Sequence, residues 1–214
     1  MRFCFVILVI FCLVSCKKNI CFHSEEEMVE WLNNPSNGFV KQKAINGFVI
    51  SVKYLPSWYL AYREIKNSDN MKPDSYDSLV TYYNRSMSFS LGISPDTTLK
   101  NTGDVMLFGV KNLNDYTSKF NDLNFNLESY IELKKGKNST YPILWNLENT
   151  YGLTNYRTIN LVFNKDSSIA KTTEFIFKDM FFDTGVSTYE FETSLIDIVP
   201  TIEIAKIIDI NKKL

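Results

Sequence analysis

The chain has 214 residues, 45% hydrophobic, 14% aromatic and 22% charged, a composition that excludes the disordered and fibrous classes. Lys and Arg number 23 against 24 Asp and Glu, so a net charge of -1 supplies no field to draw in nucleic acid, which is not expected as a partner. His23 is the single histidine, which excludes Ser-His-Asp and Cys-His triads and zinc sites built on two imidazoles.

Met1 and Arg2 precede an unbroken apolar run over residues 3–14, FCFVILVIFCLV. A spanning helix needs about 20 apolar residues, so this run has the length of a signal-peptide core and not of a membrane span. It ends in Leu13-Val14-Ser15-Cys16, which resembles the lipobox of bacterial lipoproteins: an aliphatic residue, a tolerant position, a small residue and a cysteine. The resemblance covers only the first sixteen residues. It implies cleavage before Cys16, with Leu13, Val14 and Ser15 read by the peptidase, and a diacylglyceryl group on the Cys16 sulfur.

Residues 1–15 are therefore expected to be a removed signal, and 16–23 a short tether carrying no folded element. Cys4 and Cys12 go with the signal and Cys16 is lipidated, leaving Cys21 alone, so no internal disulfide is expected. Lipoproteins of Bacteroidota destined for the cell surface carry a Lys followed by acidic residues just after the cysteine. Here Lys18 is followed by Asn19 and Ile20, so the expected location is the outer membrane with the domain facing the periplasm.

Ser24 with Glu27 forms a capping box that opens a helix through Met28, Trp31 and Leu32, stopped by Asn33-Asn34-Pro35. The acidic residues 25–27 are read as the start of that helix. Residues 39–45, then Asn46-Gly47, then 48–55 predict a hairpin, because Asn-Gly supplies the two positive φ angles of a type I′ turn. Pro56 opens a helix with Trp58, Ala61, Tyr62 and Ile65 on one side, and 73–84 is a second short helix.

From Ser86 the dominant period is two: Met87, Phe89, Leu91 and Ile93 alternate with three serines. Further strands are predicted over 129–133, 141–147, 158–164, 174–178, 187–195 and 202–210. A helix over 112–123 interrupts them, with Leu113, Tyr116, Phe120 and Leu123 as its apolar side. Pro142 and Pro200 must then lie at edges or strand starts. The absence of a βαβ rhythm gives an α+β class, mainly β: an antiparallel sandwich-like domain over 24–214 with a few N-terminal and inserted helices. The segment 94–101 is the one place where it divides if it divides at all.

No phosphate-binding loop, dinucleotide fingerprint, G-x-S-x-G elbow or H-E-x-x-H occurs, so no cofactor and no metal is expected, and a catalytic role is not the leading reading. Asp122 to Asn126 and Asn164, Asp166, Ser168 begin like calcium loops but lack the central Gly and the terminal Glu. Glu128, Glu132, Glu190 and Glu192 are carboxylates a hydrolase would need, but they lie mainly on outward strand positions that a solvated face explains better. Trp58, Tyr59 and Tyr62 are candidate binding aromatics, alongside Tyr82, Tyr83, Trp145, Tyr151 and Tyr156. The four-residue spacing of Trp58 and Tyr62 favours a core role. Asp77-Ser78-Leu79 and Asp96-Thr97-Thr98 resemble the acceptor motif for protein O-glycosylation in Bacteroidota, with Ser78 and Thr97 as the modified hydroxyls.

The sequence thus points to a lipid-anchored envelope protein that binds or assembles with a protein partner. The alternatives are a glycan-binding or glycan-hydrolysing lipoprotein and a periplasmic inhibitor or immunity-type lipoprotein.

Overall fold

The computed structural model describes residues 20–68, 72–98, 103–204 and 207. Leu13, Val14, Ser15 and Cys16 lie outside the described residues. Asn46 and Gly47 take φ of 48° and 83° and close the expected hairpin between β2 (Val40–Ile45) and β3 (Phe48–Leu55), with Ile45 opposite Phe48. Two successive positive φ angles suit Asn-Gly and almost nothing else. β3 pairs with β4 (Ser86–Pro95), β4 with β8 (Arg157–Asn164), and β8 with β7 (Leu144–Leu147), giving an antiparallel five-stranded sheet in the order β2-β3-β4-β8-β7. A second antiparallel sheet has the order β10 (Val186–Glu192), β9 (Thr172–Lys178), β5 (Ile131–Lys135), β6 (Asn138–Thr140).

Side-chain alternation turns one face of each sheet inward. Across the first, Tyr54 lies opposite Phe89 and Phe89 opposite Leu161. Across the second, Tyr189 lies opposite Phe175 and Phe175 opposite Leu133. All six are buried. Phe89 joins the layers, its ring centroid 5.4 Å from both Phe175 and Phe191. The result is α+β, a β-rich sandwich-like fold. One buried apolar cluster includes residues on both sides of 94–101.

Three helices close one end. In α1 (Glu25–Asn33) the Ser24 hydroxyl accepts from the Glu27 N–H at 3.2 Å, and the Glu27 carboxylate accepts from the His23 N–H at 2.9 Å, one residue earlier than the capping box predicts. α2 (Ser57–Asn67) follows Pro56, and α3 (Tyr76–Tyr83) precedes β4. Trp31 of α1 and Trp58 of α2 meet Phe22 and Phe39 over the β3 C-terminus, where Phe39 stacks on Tyr54 at 6.0 Å.

Several expectations need correcting. The stretch 16–23 is not all unfolded tether: Cys21–Phe22 forms β1, parallel to β11 (Thr201–Ile202), because Phe22 is 3% exposed and packs on Trp31 and Trp58. The strand over 202–210 ends at Ile202. Ile204 and Ile207 are both buried at a helical spacing of three, and the Ile207 N–H donates to the Glu203 carbonyl at 3.1 Å; 208–210 lie outside the described residues. The strand over 187–195 stops at Glu192 and continues as a 3-10 turn, Thr193–Asp197. The strands over 129–133 and 141–147 begin late, at Ile131 and Leu144, and Pro142 and Pro200 sit just before strands as expected. The helix over 112–123 is α4 (Leu113–Phe125), capped by Asn112, but its packed side differs: Leu113 and Phe120 are exposed, while Lys119 is buried beside Leu123.

Candidate binding site at the loop end of the sandwich

β3 runs from Phe48 to Leu55, and the helical plug sits at its Leu55 end. At its Phe48 end several connections converge: the Asn46-Gly47 turn, residues 96–98 and 103–110, the β7–β8 loop and the β9–β10 loop. They are stitched together. Asp96 N–H donates to the Gly47 carbonyl at 2.8 Å, Val105 N–H to the Asn155 carbonyl at 3.1 Å, and the Asn46 side-chain amide to the Asp183 carbonyl at 2.6 Å. Loops gathered on a rigid scaffold are where binding sites are usually built.

Two carboxylates hold these loops in shape. Asp179 is 6% exposed and accepts from the N–H groups of Phe181, Phe182 and Thr184 and from the Thr184 hydroxyl, at 2.8 to 3.1 Å. That ring of donors folds 179–185 tightly, with Asp183 and Gly185 at positive φ. Asp104 accepts from Met106 N–H at 3.0 Å and pairs with the buried Arg157 guanidinium, which also donates to Thr150 and to the Tyr156 carbonyl. A guanidinium with several fixed acceptors pins the 104–110 segment to the start of β8.

Between them lies Lys119 of α4, 8% exposed. Its ammonium donates to the Phe108 carbonyl at 2.7 Å and sits 4.5 Å over the Phe182 ring. Burial pushes its pKa down to about 8, while Asp179 and Asp104 pull the other way. Phe48 beneath makes an edge contact with Phe108 at 4.7 Å and a tilted one with Phe182 at 5.6 Å. A cleft of about 700 Å³ opens over this floor, walled by α4, by the Phe108–Val110 turn and by the β9–β10 loop. That volume is in the range of small-ligand sites. Asp115, Asp122, Asp179 and Asp183 line it against the single Lys119, so the cleft is acidic, and Phe108 and Met180 are exposed on its rim. Such a lining suits hydrogen-bond donors and apolar side chains. Ser118 lines the cleft too, but no hydrogen bond joins it to a base among the described residues.

The residues singled out from sequence lie elsewhere. Trp58 and Tyr62 are 1% and 0% exposed in the helical plug, and Tyr59 is half-buried beside Trp58, so these three build core and not an open platform. Trp145 is half-buried, its indole N–H donating to the Asn124 carbonyl at 2.9 Å. Tyr151 and Tyr156 are exposed in the β7–β8 loop, at the same end as the cleft. Tyr82 and Tyr83 touch each other on α3, at the other end. Ser78 is exposed on α3, its hydroxyl donating to the Ser75 carbonyl at 2.8 Å, and Thr97 is exposed in the turn after β4.

Among the carboxylates, Glu132 is held by Lys178 at 2.8 Å and by the Ser139 hydroxyl at 2.6 Å, which keeps it below the usual carboxylate range. Glu190 lies directly opposite Glu174 on the outer face of the second sheet, Glu192 is exposed at the strand end, and Glu128 is exposed in a 3-10 turn. Asp122 belongs to the last turns of α4, and Asp166 accepts from Ser168 and Asn138 in the β8–β9 loop. Among the described residues no three His, Cys, Asp or Glu side chains converge on a metal position.

The sequence reading missed Lys119, Asp179 and the Asp104–Arg157 pair. For Lys119 a signal existed: Tyr116, Lys119 and Leu123 are spaced three and four, which puts the cation on the face that packs. No protein-family model, no curated protein and no solved structure matches the chain.

Proposed function

We propose that the chain is a lipid-anchored envelope protein that acts as a non-catalytic binding or assembly subunit. A diacylglyceryl group on Cys16 holds it to the outer membrane, facing the periplasm, and a partner protein docks at the loop end. The observation that carries the binding half of this reading is the cleft over Lys119, rimmed by exposed Phe108 and Met180 on loops braced by the buried Asp179 carboxylate and the Asp104–Arg157 pair. Preorganised loops spare a partner the cost of ordering them. The anchoring half rests on the order and spacing of Arg2, the apolar run and Leu13-Val14-Ser15-Cys16. Two acyl chains give firm membrane attachment where one gives only marginal binding. No helix among the described residues is long and apolar enough to cross a membrane.

Both halves are tested in cells. Cys16→Ser is expected to lose incorporation of labelled fatty acid and to leave either a released chain or an unprocessed precursor. A photo-crosslinking residue at Met180 is expected to give a discrete protein adduct that the same residue at exposed Tyr82 of α3, at the other end, does not. A correctly cleaved Cys16→Ser chain still firmly membrane-bound refutes the anchor. Identical crosslinking at the two positions refutes the docking end.

A further inference from the structure

The start of the described chain fixes which end of the domain faces the bilayer. β1 is not a loose leader: Phe22 is buried against Trp31 and Trp58, and the Thr201 N–H donates to the Ile20 carbonyl at 2.8 Å. Only residues 17–19 separate Ile20 from Cys16, so the four chain steps between them reach at most about 14 Å when fully extended. Both β1 and the helical plug it enters lie at the Leu55 end of β3. The cleft lies at the Phe48 end, and seven rises along an eight-residue strand separate the ends by about 23 Å.

Resting on the Cys16 anchor proposed above, we infer that the domain stands on its α1 end with that end against the bilayer. Its cleft therefore opens away from the membrane, so the partner it fits approaches from the aqueous compartment and is not embedded in the bilayer that holds the anchor. The short tether forbids the domain from drifting far or turning over. A lipid ligand, or the buried part of a protein in the same membrane, could not reach the cleft without the domain inverting about a tether too short to allow it.

The test uses the mature lipoprotein in phosphatidylcholine vesicles that include a lipid with a nickel-chelating headgroup, a short-range quencher at the membrane surface. Cys21 is exposed and carries a free thiol, so it takes one fluorescent maleimide at the tethered end. A second protein, Cys21→Ser with Met180→Cys, carries the same probe on the rim of the cleft, where Met180 is 77% exposed. The expected result is a several-fold loss of emission from the Cys21 probe on adding nickel and a change of less than a tenth from the Met180 position. Equal quenching, or stronger quenching at Met180, overturns the orientation. Intact mass of the N-terminal peptide is recorded in parallel. If Cys16 carries no lipid the anchoring reading fails and this inference with it. Lipid present together with a quenched Met180 probe refutes the orientation alone.

Discussion

Replacing Phe89 by Ala removes the side chain on which the two sheets meet. Phe89 is 0% exposed, and its ring centroid lies 5.4 Å from Tyr54, 5.8 Å from Phe163, and 5.4 Å from both Phe175 and Phe191. Two of those rings belong to its own sheet and two to the opposite one, so no single neighbour can move to fill the space without breaking contacts in both layers. Truncating a buried Phe costs about 3–5 kcal/mol, the lost transfer energy plus the cavity, and a site hemmed in by four rings belongs at the upper end. At roughly 2–4 °C per kcal/mol for a domain of this size, the melting temperature falls by about 6–20 °C. Urea unfolding of the detergent-solubilised protein, followed by tryptophan fluorescence, reads the same loss as a lower midpoint with an unchanged slope. A midpoint within error of wild type would show that Phe89 does not join the layers, and the sandwich would have to be rebuilt without it.

Asp104→Ala leaves the buried Arg157 guanidinium without its carboxylate, and is expected to cost about 3 kcal/mol in the same assay; a loss near zero would show that the pair is solvated. Lys119 has a folded pKa pushed down to about 8, so between pH 8 and its unfolded value the unfolded chain holds the extra proton and stability rises with pH. Wild type should gain about 1–2 kcal/mol from pH 8 to 9.5 relative to Lys119→Met, and parallel curves for the two proteins would refute it. Above pH 10 the sign reverses, because Tyr54 and Tyr62 are held protonated by burial and ionise only on unfolding. Reducing agent should leave the melting temperature unchanged, since Cys21, the one cysteine among the described residues, is unpaired; a shift of several degrees would reveal a cross-link.

The sheets were legible because their chemistry is local. Asn46-Gly47 permits one turn, and Met87, Phe89, Leu91 and Ile93 against serines permit one inward face. The same logic misassigned the chain end, because Ile202, Ile204 and Ile207 satisfy a strand and a helix about equally well over so short a run. β1 was invisible for a different reason. Two residues carry no period, and Phe22 is fixed by Trp31 and Trp58, which only the folded chain brings within 6 Å.

The binding end was the least legible part, and the cause is physical. It is braced by residues that ordinarily mark solvent: Lys119, Asp179, Asp104 and Arg157. Arg157 is satisfied by a carboxylate 53 residues away and Lys119 by a carbonyl 11 residues away, whereas Asp179 is satisfied by N–H groups within five residues of it. Polar residues that need distant partners cannot be told from surface residues by spacing. Their burial is also what distinguishes this end from the helical plug, where Trp31, Trp58 and Tyr62 pack as apolar bulk and leave little for a ligand to read. At the loop end each of these charges fixes a backbone segment: Asp179 the β9–β10 loop, half-buried Asp104 with Arg157 the 104–110 segment, Lys119 the Phe108 carbonyl between them. Desolvating Asp179, Arg157 and Lys119 is a cost that well-packed apolar residues would avoid, so their presence is better explained by the loop geometry they impose than by stability. The cleft over Lys119 is where that geometry is displayed.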